Sequence, residues 1–140
     1  MRGGRDAGGY AFLIEIMAVI LFFALSATVI ITLFVGADRR AKQAEELSGA
    51  ILAASSAAEL VRVSSSPEAD FIDCYGAVEE SGGYEGWLDV SFLPGSFEEY
   101  IIRLECEEQN GLYEMTLSVL YDDGTVIYSL SCANFTGGAA

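Results

Sequence analysis

Four groups of residues in this 140-residue chain have side chains that could carry chemistry. They are the cysteines Cys74, Cys106 and Cys132, the adjacent acids Asp122 and Asp123, the aromatics Tyr75, Tyr84, Trp87 and Tyr100, and the single carboxylate Glu15 inside an apolar run. The cysteines could form a disulfide or hold a metal. No CxxC pair and no histidine accompanies them, so a zinc site is not expected. If they lie outside the cytoplasm, one disulfide and one leftover thiol is the natural outcome. Asp122 and Asp123 could contribute to a calcium site, but no EF-hand loop is present and Asp123-Gly124 is accounted for as a turn. The four aromatics could line a sugar-binding surface, although in a small β domain such side chains ordinarily serve as core or edge. No Ser/His, Cys/His or phosphate-loop arrangement occurs. Without histidine, a catalytic centre would rest on acids or on the single lysine, Lys42. Neither enzyme activity nor a cofactor is expected.

Glu15 demands its own explanation. Tyr10 to Val35 spans 26 residues of which only Glu15 is charged, and about 20 apolar residues suffice to cross a hydrocarbon core as a helix. The run is too long for the roughly 7 to 15 residue hydrophobic region of a secretory signal. A charge at the membrane centre costs about 2.5 to 3.5 kcal/mol on insertion scales. The carboxylate is therefore either close enough to the headgroups to reach water or paired with a positive partner.

The charge balance divides the chain. Up to Arg62 there are six basic and six acidic residues, whereas Val63 to Ala140 holds 15 acids and one base, Arg103, so the whole net charge of −14 falls on the C-terminal part. That excess repels phosphates and argues against nucleic-acid binding. Its simplest meaning is a soluble, self-repelling surface.

Elements that would position these residues follow from the pattern. After Gly36 the sequence is rich in strong helix formers, and Ala37, Ala41, Ala44, Ser48, Ile51, Ala54 (or Ser55), Ala58 and Val61 recur at helical spacing, predicting one small-residue stripe. SSSP at Ser64 to Pro67 ends the helix. The expectation is one helix from about Ala11 to Val63, with Gly36 and Gly49 as points of weakness. From Glu68 to Ser96 the pattern is uninformative apart from one strand in GWLDVSF, where Leu88, Val90 and Phe92 alternate with polar residues.

The last third reads as a three-stranded meander. YIIRLECEE, LYEMTLSVLY and TVIYSLSCANF are separated by Asn110-Gly111 and Asp123-Gly124, dipeptides that favour type I′ hairpins. The turns fix the register: Cys106 faces Met115, Leu104 faces Leu117 and Ile102 faces Val119. In the second hairpin Met115 faces Cys132, Leu117 faces Leu130 and Val119 faces Tyr128. Both hairpins put the same residues on one apolar face, a coincidence that a slip of one residue would destroy. Cys106 and Cys132 then stand two strand spacings apart, roughly 9 to 10 Å, against a disulfide limit of about 7 Å. Any disulfide should therefore involve Cys74, with either Cys106 or Cys132.

A polar N-terminal stretch with Arg2 and Arg5, then glycine, FLIE at Phe12 to Glu15, the run AVILFFALSATVIITLF, a long helix and an antiparallel sheet together resemble the type IV pilin and pseudopilin superfamily. The sequence likeness covers about Gly8 to Arg62. It implies an α+β, pilin-like fold with the long helix packed on a small antiparallel sheet. Its parts would be a leader (1–9), a transmembrane half of the helix (10–36), an amphipathic half (37–66), a variable region (67–98), the meander (99–135) and a tail (136–140). In that family a prepilin peptidase cuts after the leader glycine, and a glutamate at the fifth position of the mature chain supports assembly. Here a cut between Gly9 and Tyr10 makes Glu15 the sixth residue, whereas a cut after Tyr10 makes it the fifth. The resemblance further implies a single-pass protein of the bacterial cytoplasmic membrane, with the N-terminus cytoplasmic. Implied partners are other pilin-like subunits, the prepilin peptidase, an assembly ATPase with its platform proteins, and membrane lipid. The alternative is a single-pass protein that never polymerises and whose acidic external domain binds a ligand or a partner.

Overall fold

The computed structural model describes residues 6–95, 99–109 and 112–135. Arg2, Arg5 and most of the expected leader, the Asn110-Gly111 turn and the expected tail lie outside the described residues. The element order is α1 (Asp6–Val63), α2 (Pro67–Tyr75), β1 (Val78–Glu80), β2 (Gly83–Leu88), β3 (Tyr100–Gln109), β4 (Leu112–Tyr121) and β5 (Val126–Phe135). The chain forms two compact units, residues 1–43 and 44–140. The class is α+β, with a long N-terminal helix and an antiparallel sheet.

In the first unit α1 stands alone. It is helical from Asp6, the first described residue and so ahead of the expected start near Ala11, and continues unbroken through Gly36 and Gly49. Its apolar segment is long enough to cross a membrane. Helix is the natural state of such a segment, because only a helix satisfies every backbone N–H and C=O within one strand of chain.

In the second unit the end of α1 packs on a five-stranded sheet of order β1-β2-β3-β4-β5. Every pair of the expected meander register is present: Cys106 with Met115, Leu104 with Leu117, Ile102 with Val119, Met115 with Cys132, Leu117 with Leu130 and Val119 with Tyr128. Gln109 pairs with Leu112, the spacing a two-residue loop requires. The second turn differs from expectation. Asp123 does not take the positive φ of a type I′ turn; Gly124 alone does, at φ 83°, with its N–H on the Tyr121 carbonyl at 3.0 Å. The register is absorbed by a bulge between Val119 and Leu120, a combination characteristic of hairpins with one extra residue.

Residues 67–98 hold more structure than the sequence suggested. Pro67 both ends the first helix and opens α2, since its fixed φ suits a first helical position; Glu68 and Asp70 favour the N-terminal turn, and left-handed Gly76 closes the helix. Phe71 and Tyr75 bury one face of α2. Ser81 and Gly82, at φ 47° and 93°, turn β1 into β2. Of the strand expected in GWLDVSF, only Gly86 to Leu88 is formed, as the end of β2, and Val90 and Phe92 lie outside it. Asp89 stops it by accepting the N–H groups of Ser91 (2.8 Å) and Leu93 (3.1 Å), which folds the chain into a tight loop.

The C-terminal part of the expected stripe is buried, at Ala54, Ala58 and Val61, where it is widened by Ala50, Ala53 and Ala57; its earlier members Ala37, Ala41, Ala44, Ser48 and Ile51 are exposed. Helical periodicity alone allows both faces; contact with the sheet selects the buried one. The alanines share one core with Ile102, Leu104, Met115, Leu117 and Val119, which are fully buried.

Gly49 is needed for a specific reason. Phe92, in the Asp89 loop, has its ring where a Cβ on Gly49 would stand, and it stacks on Tyr100 with ring centroids 4.2 Å apart. Gly49→Val is expected to destabilise the domain by about 1 to 3 kcal/mol through overpacking. Combined with Phe92→Ala it should cost less than the sum of the two single changes in thermal or denaturant unfolding; strict additivity would show that ring and glycine do not meet.

Candidate functional site

The apolar part of α1 presents Glu15 in a setting without internal cover. Eighteen large apolar side chains between Tyr10 and Val35 are exposed, and none of the most apolar window is buried. The polar side chains Thr28 and Thr32 are satisfied within the helix: the Thr28 hydroxyl donates to the Ala24 carbonyl (2.9 Å) and that of Thr32 to the Thr28 carbonyl (2.8 Å). Glu15 is exposed and makes no hydrogen bond or ion pair among the described residues. Counted from Glu15, Ile16 to Val35 is 20 residues, about 30 Å of helix and equal to a hydrocarbon core. The carboxylate thus marks one end of a segment of membrane length, and Asp38, Arg39, Arg40 and Lys42 mark the other.

Gly9 and Tyr10, expected as the processing junction, lie within α1. A Cβ at Gly9 would meet nothing within 4 Å, so no packing in this chain requires glycine there.

The second unit holds α1 to the sheet at two places. The Tyr121 hydroxyl donates to Glu46 at 2.6 Å, and the Asn134 amide donates to the Ser64 carbonyl at 3.4 Å. Asp70 takes the Ser64 hydroxyl, joining the end of α1 to α2. The Glu46 bond, then burial, then the carboxylate charge push the Tyr121 phenol up to about 12; burial first and Cys74 second do the same for Tyr75.

The expected aromatic group does not form one surface. Strand parity sends Tyr84 and Tyr100 to the helix side of the sheet and Trp87 to the opposite side, while Tyr75 is buried on α2. Tyr84 instead donates to Glu68 at 3.0 Å, which raises its phenol. Asp123 accepts the Thr125 N–H at 2.8 Å and its carboxyl is lowered by that bond, a turn-forming role. No group of three or more His, Cys, Asp or Glu side chains arranged to hold a metal occurs among the described residues.

The expected disulfide through Cys74 is not formed. All three cysteines are free thiols, Cys74 exposed on α2 and the other two half-buried on the sheet. The register keeps Cys106 and Cys132 on strands separated by β4, and Cys74 is carried by α2. The outer face of the sheet carries a cluster of acids, with Glu107 opposite Glu114 and Glu105 beside them. Arg103, the one base in this region, is bound to Glu85 through its Nε at 2.7 Å.

Sequence reasoning missed the Tyr121–Glu46 link, because nothing local joins residues 75 positions apart. Since folding holds Tyr121 neutral, its contribution to stability is complete below about pH 10, the phenol's ordinary value, and is lost as pH rises to about 12. Alkaline absorbance titration should show Glu46→Gln bringing one tyrosine down from about 12 towards 10; an unchanged curve would show that Glu46 does not hold the phenol. Comparison of the chain with known protein families, with curated proteins and with solved structures finds no match.

Proposed function

We propose that this chain is a membrane-anchored, pilin-like structural subunit. The apolar half of α1 crosses the membrane and packs against the helices of like subunits in a filament or pseudopilus, and the acidic sheet domain is displayed outside. The observation that carries this reading is the uncovered apolar helix with a single carboxylate at one end of a 20-residue membrane-length segment. An isolated helix of this kind is fully served by lipid, so lipid accounts for the apolar residues; the carboxylate is what asks for a partner. A neighbouring subunit's freed N-terminal ammonium supplies one, relieving the cost of Glu15 and fixing the axial register of stacked helices.

The acid excess of the external domain suits display. Neighbouring domains repel one another, so association is driven by the helices in lipid rather than by the sheet surface. Partners on this reading are related subunits, a prepilin peptidase and an assembly ATPase with its membrane platform. The continuity of α1 from Asp6 through Gly9 and Tyr10 favours the second reading, an uncut single-pass anchor, because a peptidase acting there must first unwind a helical turn.

Intact mass and N-terminal peptide sequencing of the protein from its native membrane separate the two. Loss of the first nine or ten residues with a methylated new amine is the expected result; retention of Met1 to Gly9 in every copy would establish the uncut anchor. Glu15→Gln is expected to leave membrane insertion intact and to abolish incorporation into assemblies, read by crosslinking and co-purification with wild-type copies. Undiminished incorporation would remove Glu15 from the assembly mechanism.

A further inference from the structure

The two edges of the sheet are built in opposite ways. β1 is three residues long and carries Glu79 and Glu80, so shortness and charge both blunt it against another strand. β5 is ten residues long and is the one strand of the five without a charged residue. It contains no proline either. Its bulge, opposite Val119 and Leu120, lies at its start, and from Tyr128 to Phe135 eight consecutive residues pair with β4 in unbroken register. In an antiparallel ladder alternate residues turn their N–H and C=O groups away from the paired strand, so this run presents about four of each outward. Among the described residues no other strand or backbone group takes them up. A long, regular, uncharged edge of this kind is a template for a further strand.

The geometry points to β5 as the docking edge for an extended segment of a partner protein, with basic and apolar side chains in alternation, that joins the sheet as a sixth strand. The two faces beside the edge select that chemistry. On the outer face β5 presents short, exposed side chains, Ser129, Ser131 and Ala133. Behind them Glu114 pairs with Ala133, Glu107 stands opposite Glu114, and Glu105 faces Thr116 one row along. A residue added opposite Ala133 lies two strand spacings from Glu114, roughly 9.5 Å, within the roughly 10 Å over which charges act at 0.1 M salt. Arg103, the only base after Arg62, is already bound to Glu85 and does not answer these acids. On the helix side Tyr128, Leu130 and Cys132 are half-buried against the core, and apolar side chains of an added strand extend that layer. Arg62, whose positive charge acts on Cys132, disfavours a second basic row there.

A second copy of this chain is the poorer fit. Its β5 supplies no base, and edge-to-edge pairing would bring together two domains that each hold 15 acids and one base after Arg62. The edge belongs to the sheet domain alone, so its docking role does not depend on whether α1 assembles with other helices.

The test uses the purified full-length chain in an uncharged detergent and three probe peptides matched to the eight-residue run of β5. One alternates lysine and valine, one alternates glutamate and valine, and one is the lysine–valine peptide N-methylated at every amide. Hydrogen exchange of the wild-type chain, read by mass spectrometry, requires no variant. The lysine–valine peptide should slow exchange across Tyr128 to Asn134 about tenfold or more and leave β1 unchanged, and neither other peptide should do so. Its affinity, read by anisotropy of a labelled peptide, should fall with rising salt, weaken about tenfold with Ser131→Lys and strengthen with Ser131→Asp, at a side chain that is exposed in the free protein. Equal binding of the N-methylated peptide, or binding that leaves β5 exchange unchanged, overturns strand addition. Equal binding of the glutamate–valine peptide overturns the basic partner. Protection of β5 without any peptide, together with a dimeric mass in solution, overturns it in favour of a second copy.

Discussion

The core shared by the alanine face of α1 and the apolar face of the sheet is the contact on which the second unit depends. Ala50, Ala54 and Ala57 are fully buried, and so are the large side chains beneath them, Ile102, Leu104, Met115, Leu117 and Val119. Small residues on the helix and large ones on the sheet divide the volume between two layers, and interiors tolerate little empty space. Each fully buried large side chain contributes about 1.5 to 3 kcal/mol relative to exposure. A domain of fewer than 100 residues has few such contributions to spare. The hydrogen bonds at Glu46 and Ser64 fix where along the helix this contact begins and ends.

That core organises the segments that flank it. The Asp89 loop reaches back to lay Phe92 over Gly49 and against Tyr100, and Tyr100 in turn meets Tyr121, so an aromatic file connects loop, sheet and helix. Phe92 pays for its position with a positive φ of 59°, an uncommon backbone state for a residue with a side chain. At the other end α2 closes the core with Phe71 and Tyr75, whose rings lie 4.9 Å apart. The helix side of the sheet is apolar, and the other face carries acids and hydroxyls together with one apolar row, Trp87, Ile101 and Leu120.

The apolar half of α1 is built differently. Its large side chains have no protein layer over them, and the hydroxyls of Thr28 and Thr32 bond to the preceding turn. Both features are compatible with hydrocarbon. Glu15 is the one charged group in the run, and for that reason it is the residue on which the proposed assembly turns.

The helix, its apolar run and the register of the three long strands were legible in the sequence because each rests on local rules: 3.6-residue and 2-residue periodicity, and turn chemistry that fixes which residues face each other. Helix α2 and the β1–β2 hairpin also carried local marks, Pro67 with Gly76 and Ser81-Gly82, but they were short and embedded in a region without periodicity. Glu15 could be picked out by composition alone, since one charge in 26 residues needs no fold to be noticed. Tertiary structure alone decided the rest. In an alanine-rich helix several stripes are equally apolar, and only the sheet chose Ala50 over Ile51. Only folding brought Tyr121 to Glu46 and Phe92 to Gly49, because contacts between residues far apart in sequence have no periodic signature. The same holds for the thiols: the register set the spacing of Cys106 and Cys132, but the placement of Cys74 on an exposed helix was settled by packing.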